Sequence, residues 1–327
     1  MDEFMTHVAI PEPNSKITYR HNLFFIGSCF SDTIGAKMKE LLFPVCHNPF
    51  GVIYNPLSVA NNLSLLLKKE SFTEKDLSFY NELWFSYSHY TRFSHPDKEK
   101  CLENINSVFQ EARQFLSKAD FIFITLGTSW VYHLKETGQV VANCHKQPAS
   151  LFNHSFIPSE QSYESLKQSI ESIKKINPDA RFIFTVSPIR HWKDGAINNQ
   201  RSKAALLLAI AKLQEWDNDV YYFPAYEIFM DELRDYRFYA SDMLHPSESA
   251  QHYIWEKFIM NFLSEEDLQL LRNVQKIVSS VKHKPFFPNT KTYSNFRQDI
   301  IKKIKNLSDK YKFIDFSELL RSKENNV

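Results

Sequence analysis

Two segments far apart in the 327-residue chain carry side chains suited to acid–base and nucleophilic chemistry. The later one is Asp242-Met243-Leu244-His245-Pro246. A carboxylate three residues before a histidine can orient the imidazole and stabilise its cation, as a general base requires. The same spacing also fits an N-capping aspartate before a surface histidine. The earlier segment is Gly27-Ser28-Cys29-Phe30-Ser31, directly after the apolar run Leu23-Phe24-Phe25-Ile26. A strand that turns through a glycine into a helix sets a small hydroxyl or thiol at the helix N-terminus. There the free N–H groups and the macrodipole favour an anion. The plainer alternative is a serine cap beside a buried apolar cysteine.

Three further groups invite a chemical reading. Arg190 and His191 follow an apolar run, where they are expected to contact an anionic or hydroxylated substrate; a surface loop is the alternative. Cys46-His47 and Cys144-His145 hold ligand types that suit zinc. Adjacent side chains point apart, however, and no C-x-x-C or H-x-x-x-H spacing accompanies them. No metal and no cofactor are therefore expected, and the histidines, His145 included, are expected to line a pocket. The aromatic run from Trp84 to Tyr90 fits either a sugar-stacking surface or, more simply, core.

These residues need elements to hold them. Short, fully apolar runs at 23–26, 121–126, 181–186 and 220–223 read as buried parallel strands. Helical patterns alternate with them, beginning at the Ser28 and Ser31-Asp32 caps and recurring near 56–68, 97–118, 160–176, 200–216 and 247–263. Alternation of this kind implies βαβ units and a short parallel sheet covered on both faces, a three-layer α/β/α sandwich. Ligands bind beyond the carboxyl ends of such strands, which points to Gly27-Ser28-Cys29, Gly127-Thr128-Ser129 and the residues after Val186. Residues 45–56 read as a loop. The expected domains are 1–263 and a basic, helical C-terminal extension, 264–327, with a helix at 264–281, a loop at 282–298 and lysines alternating with apolar positions thereafter.

Composition sets the outer bounds. Only 6 of 327 residues are glycine, and neither G-x-G-x-x-G nor G-x-x-x-x-G-K-[ST] occurs, which excludes the glycine-rich phosphate loops. Net charge is +1, but residues from 282 onward carry a net +6. That tail has no nucleic-acid motif and reads as a solvated lysine face, so neither nucleic acid nor membrane is expected as a partner. Four cysteines are too few for a disulfide framework. Residues 1–20 lack an apolar run and 43–52 are broken by prolines, so no signal or spanning segment is expected, and a cytoplasmic setting is the default. Oligomeric state is not legible.

Taken together, the early Gly27-Ser28-Cys29-Phe30-Ser31 and the late Asp242/His245 pair resemble the SGNH (GDSL-like) hydrolase superfamily and, more closely, the GSCFA family. Asn48-Pro49-Phe50-Gly51, Asn143-Cys144-His145-Lys146, Ser187-Pro188-Ile189-Arg190-His191 and the stretch 231–239 also match the latter. The resemblance spans roughly residues 20–263 and implies an SGNH hydrolase-like, flavodoxin-like fold. It implies Cys29 as nucleophile, with Ser28 in that role if the register shifts by one. It implies His245 as base and Asp242 as its partner, with the N–H groups of Cys29 and Gly51 in the oxyanion hole. The superfamily's third block is Gly-x-Asn, but here Ser129 stands in place of the asparagine. Ser129, Thr128 or Asn143 would have to supply that donor. The implied activity is hydrolysis of a small-molecule or glycan ester. Acyl transfer to a sugar hydroxyl and a fold used only for binding are the competing readings.

Overall fold

The structure, a computed structural model, describes residues 5–283, 286–287 and 289–324. In chain order the strands are β1 (Leu23–Gly27), β2 (Val45–His47), β3 (Ser78–Tyr80), β4 (Leu83–Phe85), β5 (Phe121–Leu126), β6 (Trp130–Leu134), β7 (Val140–Val141), β8 (Phe152–Phe156), β9 (Arg181–Val186) and β10 (Val220–Tyr222). The α-helices are α1 (Cys29–Glu40), α2 (Pro56–Lys68), α3 (Lys98–Leu116), α4 (Ser159–Lys174), α5 (Gly195–Trp216), the single turn α6 (Ala225–Glu227), α7 (Glu248–Phe262), α8 (Glu265–Lys282), α9 (Lys291–Lys310) and α10 (Ser317–Glu324).

Five strands pair in parallel in the order β10-β9-β5-β1-β2. Every residue of β1 and β5 is buried, which explains their unbroken apolar sequence: helices cover both faces. Alternate side chains divide between two cores. Phe24 and Ile26 join Leu63, Phe109, Ile170 and Leu206 from α2 to α5. Leu23 and Phe25 join Ile34, Met38, Ile254 and Phe258 from α1 and α7. The expected α/β/α layering is thus present. The chain reverses its direction of travel across the sheet between β1 and β5, and such a switch point leaves a crevice at the strand ends.

Several elements depart from the sequence reading. Residues 45–47, read as loop, form the edge strand β2; three half-buried residues are too short for periodicity to register. Strand character near Trp84 stops at Phe85, in a hairpin with β3. An antiparallel sheet of order β7-β6-β8, which the sequence did not suggest, follows β5 directly. α9 starts at Lys291, within the expected 282–298 loop, because Thr290 Oγ1 caps it by accepting from Tyr293 N–H at 3.3 Å. Positions 284, 285 and 288 of that loop lie outside the described residues. α8 and α9 bury Leu271, Val274, Ile300 and Ile304 in the α1/α7 core. The N-terminal segment crosses the end of α7, where Ile17 N–H donates to Phe262 O at 2.7 Å. Among the described residues no helix is long and apolar enough to cross a membrane.

Candidate functional site

The β1–α1 turn is fixed by its neighbours. Gly27 has φ +140°, and a Cβ there would lie 2.2 Å from Thr125 O on β5. Its N–H donates to Asn48 Oδ1 at 2.9 Å, while Asn48 Nδ2 donates to Asp32 Oδ1 at 3.2 Å. Ser28 is the N-cap of α1, but its side chain makes no capping bond. Its Oγ is buried and has no hydrogen-bond partner among the described residues. Cys29, the first helical residue, is partly exposed, so the turn presents the thiol rather than the Ser28 hydroxyl. The N–H groups of Cys29 and Phe30 have no preceding helical carbonyl to bond, and they sit at the positive end of the macrodipole.

His245 reaches the same place from the other end of the domain. Cys29 and His245 both line a cavity of about 70 Å³, walled by Phe30, Ile34, Ile189 and Ile254. Asp242 accepts from the N–H groups of Leu244 and His245 at 2.9 Å each, and its Oδ2 lies 2.5 Å from His245 Nδ1. Those backbone donors, followed by the His245 ring, hold the Asp242 carboxyl down to about 2. An ionised carboxylate only accepts, so Nδ1 carries the proton and Nε2 of the neutral ring is left as the basic nitrogen. Met243, at φ +59°, tightens the turn that lets the two side chains meet.

The other expected site residues fall into different places. Gly51 N–H is spent on Asn48 O at 2.8 Å, so it does not serve as the expected oxyanion donor. Ser129 is fully buried, its N–H donating to Ser202 Oγ at 2.6 Å and its hydroxyl to Ser202 O at 3.1 Å. Thr128 Oγ1 lies 3.1 Å from the same Ser202 hydroxyl, and Thr128 N–H donates to Tyr54 O at 3.0 Å. Both residues therefore lock the β5 exit to α5 instead of facing the cavity. Asn143 does not line the Cys29 cavity; its Nδ2 donates to Thr91 Oγ1 at 3.1 Å. His145 is buried and lines neither this cavity nor its rim. It stacks on Phe85 with centroids 4.1 Å apart, and its Nε2 lies 3.0 Å from Ser86 O. Arg190 turns away toward Met230, 3.9 Å from its sulfur.

His191 does belong here. Its ring packs edge-on to Tyr54 at 5.3 Å. Burial, then the charges of Lys203 and His245, push it down to about 4, so it is neutral at ordinary pH. Cys46 and His47 stand on β2, away from Cys144 and His145, and among the described residues no three His, Cys, Asp or Glu side chains gather as a metal site.

Sequence reasoning missed two residues beside this site. Tyr54 OH lies 3.8 Å from Cys29 Sγ, and burial, then the thiol, raises its pKa. Lys203 is fully buried and donates from Nζ to Gly127 O and Ser187 O, 2.7 Å each, tying the ends of β5 and β9 together. The signal was present: Lys203 shares the helix face of Asn199, Leu206 and Ile210, all buried.

Burial, with Arg190 adding to it, lowers the Lys203 amine to about 7. An unfolded lysine titrates near 10.4, so between these values the unfolded chain holds a proton that the folded chain lacks. This contribution makes stability rise with pH from about 7 to about 10, by at most about 1.4 kcal/mol per pH unit, and it is flat below. Lys203→Met also leaves two carbonyls without donors, at about 1–3 kcal/mol each. The wild-type advantage in urea unfolding should therefore widen from pH 7 to pH 9. An advantage that stays constant would contradict a depressed lysine.

Compared with protein families, the chain matches the GSCFA family over residues 22–258. It matches the GSCFA domain protein, C-terminal domain, over residues 274–326. A comparison with curated proteins gave no match.

Proposed function

This chain belongs to the GSCFA family, and from that premise we propose that it cleaves short acyl esters through a Cys29–His245–Asp242 triad of the SGNH type. One observation carries the reading: Cys29 and His245, distant in sequence, line one small apolar cavity, with Asp242 bonded to the far side of the imidazole. His245 Nε2 takes the thiol proton as Sγ attacks the ester carbonyl carbon. The N–H groups of Cys29 and Phe30 receive the oxyanion. As the tetrahedral adduct collapses, the carbon–oxygen bond to the alcohol breaks and His245 returns its proton to the leaving oxygen. Water, losing a proton to His245, then cleaves the thioester, releasing the acid and restoring the thiol. The cavity has room for a short acyl group and apolar walls to hold it. A larger groove lined by Tyr54, Asn143 and His191 reaches Cys29 through the Tyr54 hydroxyl, 3.8 Å from Sγ, and supports a second reading in which an acceptor hydroxyl replaces water.

The thioester is the testable intermediate. Brief incubation with p-nitrophenyl acetate should add the mass of one acetyl group, mapped to the peptide holding Cys29 and absent in Cys29→Ala. Acetylation that persists in Cys29→Ala and vanishes in Ser28→Ala would overturn the assignment.

A further inference from the structure

Tyr54 stands beside the attacking sulfur with a hydroxyl that no catalytic step so far employs. The segment around it is held from both sides. Ile53 N–H donates to Gly27 O on β1 at 2.8 Å, and Tyr54 O accepts from Gly127 and Thr128 N–H, at the exit of β5, at 2.7 and 3.0 Å. Asn55, the next residue, caps α2 by accepting from Ser58 N–H. Gly127 leaves the room that the tyrosine and His191 fill. A Cβ at Gly127 would lie 2.9 Å from His191 Nε2 and 3.5 Å from Tyr54 Cβ. The His191 ring meets the phenol ring edge-on at 5.3 Å and supports it along that side. The Tyr54 hydroxyl lies 3.8 Å from Cys29 Sγ and has no other hydrogen-bond partner among the described residues. Burial, then the thiol, keeps its pKa above the ordinary phenol range, so it holds its proton and is able to donate.

Resting on the acyl-ester reading above, we infer that Tyr54 is a catalytic residue whose hydroxyl donates to the oxyanion, alongside the N–H groups of Cys29 and Phe30. The donors that the superfamily resemblance implied are spent: Gly51 N–H on Asn48, Thr128 N–H on Tyr54 O, and Ser129 on Ser202. The residue whose carbonyl occupies Thr128 N–H thus brings its own hydroxyl in exchange. The oxyanion lies two bonds from Sγ, so a donor 3.8 Å from the sulfur is able to stand within the about 2.7–3.1 Å that such a bond requires. As Sγ bonds the acyl carbon, its proton passes to His245 Nε2 and the carbonyl π pair moves onto oxygen. Tyr54 bonds that oxygen without giving up its own proton. When the pair returns, the bond to the alcohol breaks, the alcohol leaves with the proton from His245, and the Tyr54 hydroxyl is released.

Two reagents that meet the same thiol separate this role from others. p-Nitrophenyl acetate acetylates Cys29 through an oxyanion, whereas iodoacetamide alkylates it by displacing iodide, with none. Tyr54→Phe removes the hydroxyl and keeps the ring against His191. It should slow acetylation of Cys29 about 10²–10³-fold, the cost of one lost oxyanion donor, and leave alkylation unchanged. Equal slowing of both reactions would make Tyr54 a group that tunes or buries the thiol, and undiminished acetylation would leave its hydroxyl idle. Either result overturns the donor and spares the ester reading. A wild-type Cys29 that iodoacetamide alkylates but the ester never acetylates would reject both.

Discussion

His245→Ala is expected to cut turnover of a short-chain aryl ester by about 10²–10⁴-fold, the range a positioned general base contributes. The fold should not suffer, since the side chain is 49% exposed and its ring bonds Asp242. Asp242→Asn makes the argument sharper. An asparagine Oδ1 can keep both backbone bonds from Leu244 and His245, so the turn survives. Its Nδ2 would then face His245 Nδ1 as a donor, which forces the imidazole proton onto Nε2. The base nitrogen is occupied and turnover should fall by about as much as in His245→Ala. Steady-state kinetics with melting curves would decide it. Full activity in either variant would remove His245 from the mechanism, and a matching fall in melting temperature would make the effect structural.

The largest stability effect is expected at Gly27. An alanine Cβ would sit 2.2 Å from Thr125 O, 2.8 Å from its N and 2.9 Å from its carbonyl carbon, at φ +140°. All three are backbone atoms of the central strand β5, so no rotamer change relieves the overlap. Gly27→Ala should cost about 4–5 kcal/mol or prevent folding altogether. Gly51→Ala meets the Tyr90 Cβ at 2.2 Å and should also be severe, whereas Gly138→Ala, with nothing within 4 Å, should cost only about 1–2 kcal/mol for its left-handed backbone. Soluble yield and urea midpoints of the three variants would rank them. A Gly27→Ala protein with wild-type stability would mean that the β1–α1 turn is built differently.

Much of this was legible because burial on both faces writes itself as unbroken apolar runs. Leu23–Ile26, Phe121–Leu126 and Arg181–Val186 declared the sheet, and its strand ends marked Cys29. The rest was hidden for physical reasons. β2 is three residues long and pairs through backbone, which leaves little side-chain pattern. The β6–β8 sheet mixes half-exposed Trp130 and Tyr132 with histidines and polar residues, so no strand pattern registers. Gly51 had the residue type the resemblance asked for, and Thr128 and Ser129 stood as substitutes for the missing asparagine, yet their donors are committed to Asn48, Tyr54 and Ser202, which no linear motif reveals. Asn48 stands in the Asn48–Gly51 stretch by type, but its role in pinning Gly27 depends on a contact across two strands.

The strap that joins Ile17 to the end of α7 has a further meaning during synthesis. The thiol emerges early from the ribosome and its imidazole partner late, and the bond that clasps the two ends needs Phe262. A nascent chain therefore carries Cys29 without His245 for most of translation. The clasp closes only when α7 docks, close to the end of the residues matched to the GSCFA family. Truncation before Phe262 would remove that clasp together with a buried phenylalanine, so the end of α7 is needed to close the fold over its own N-terminal segment.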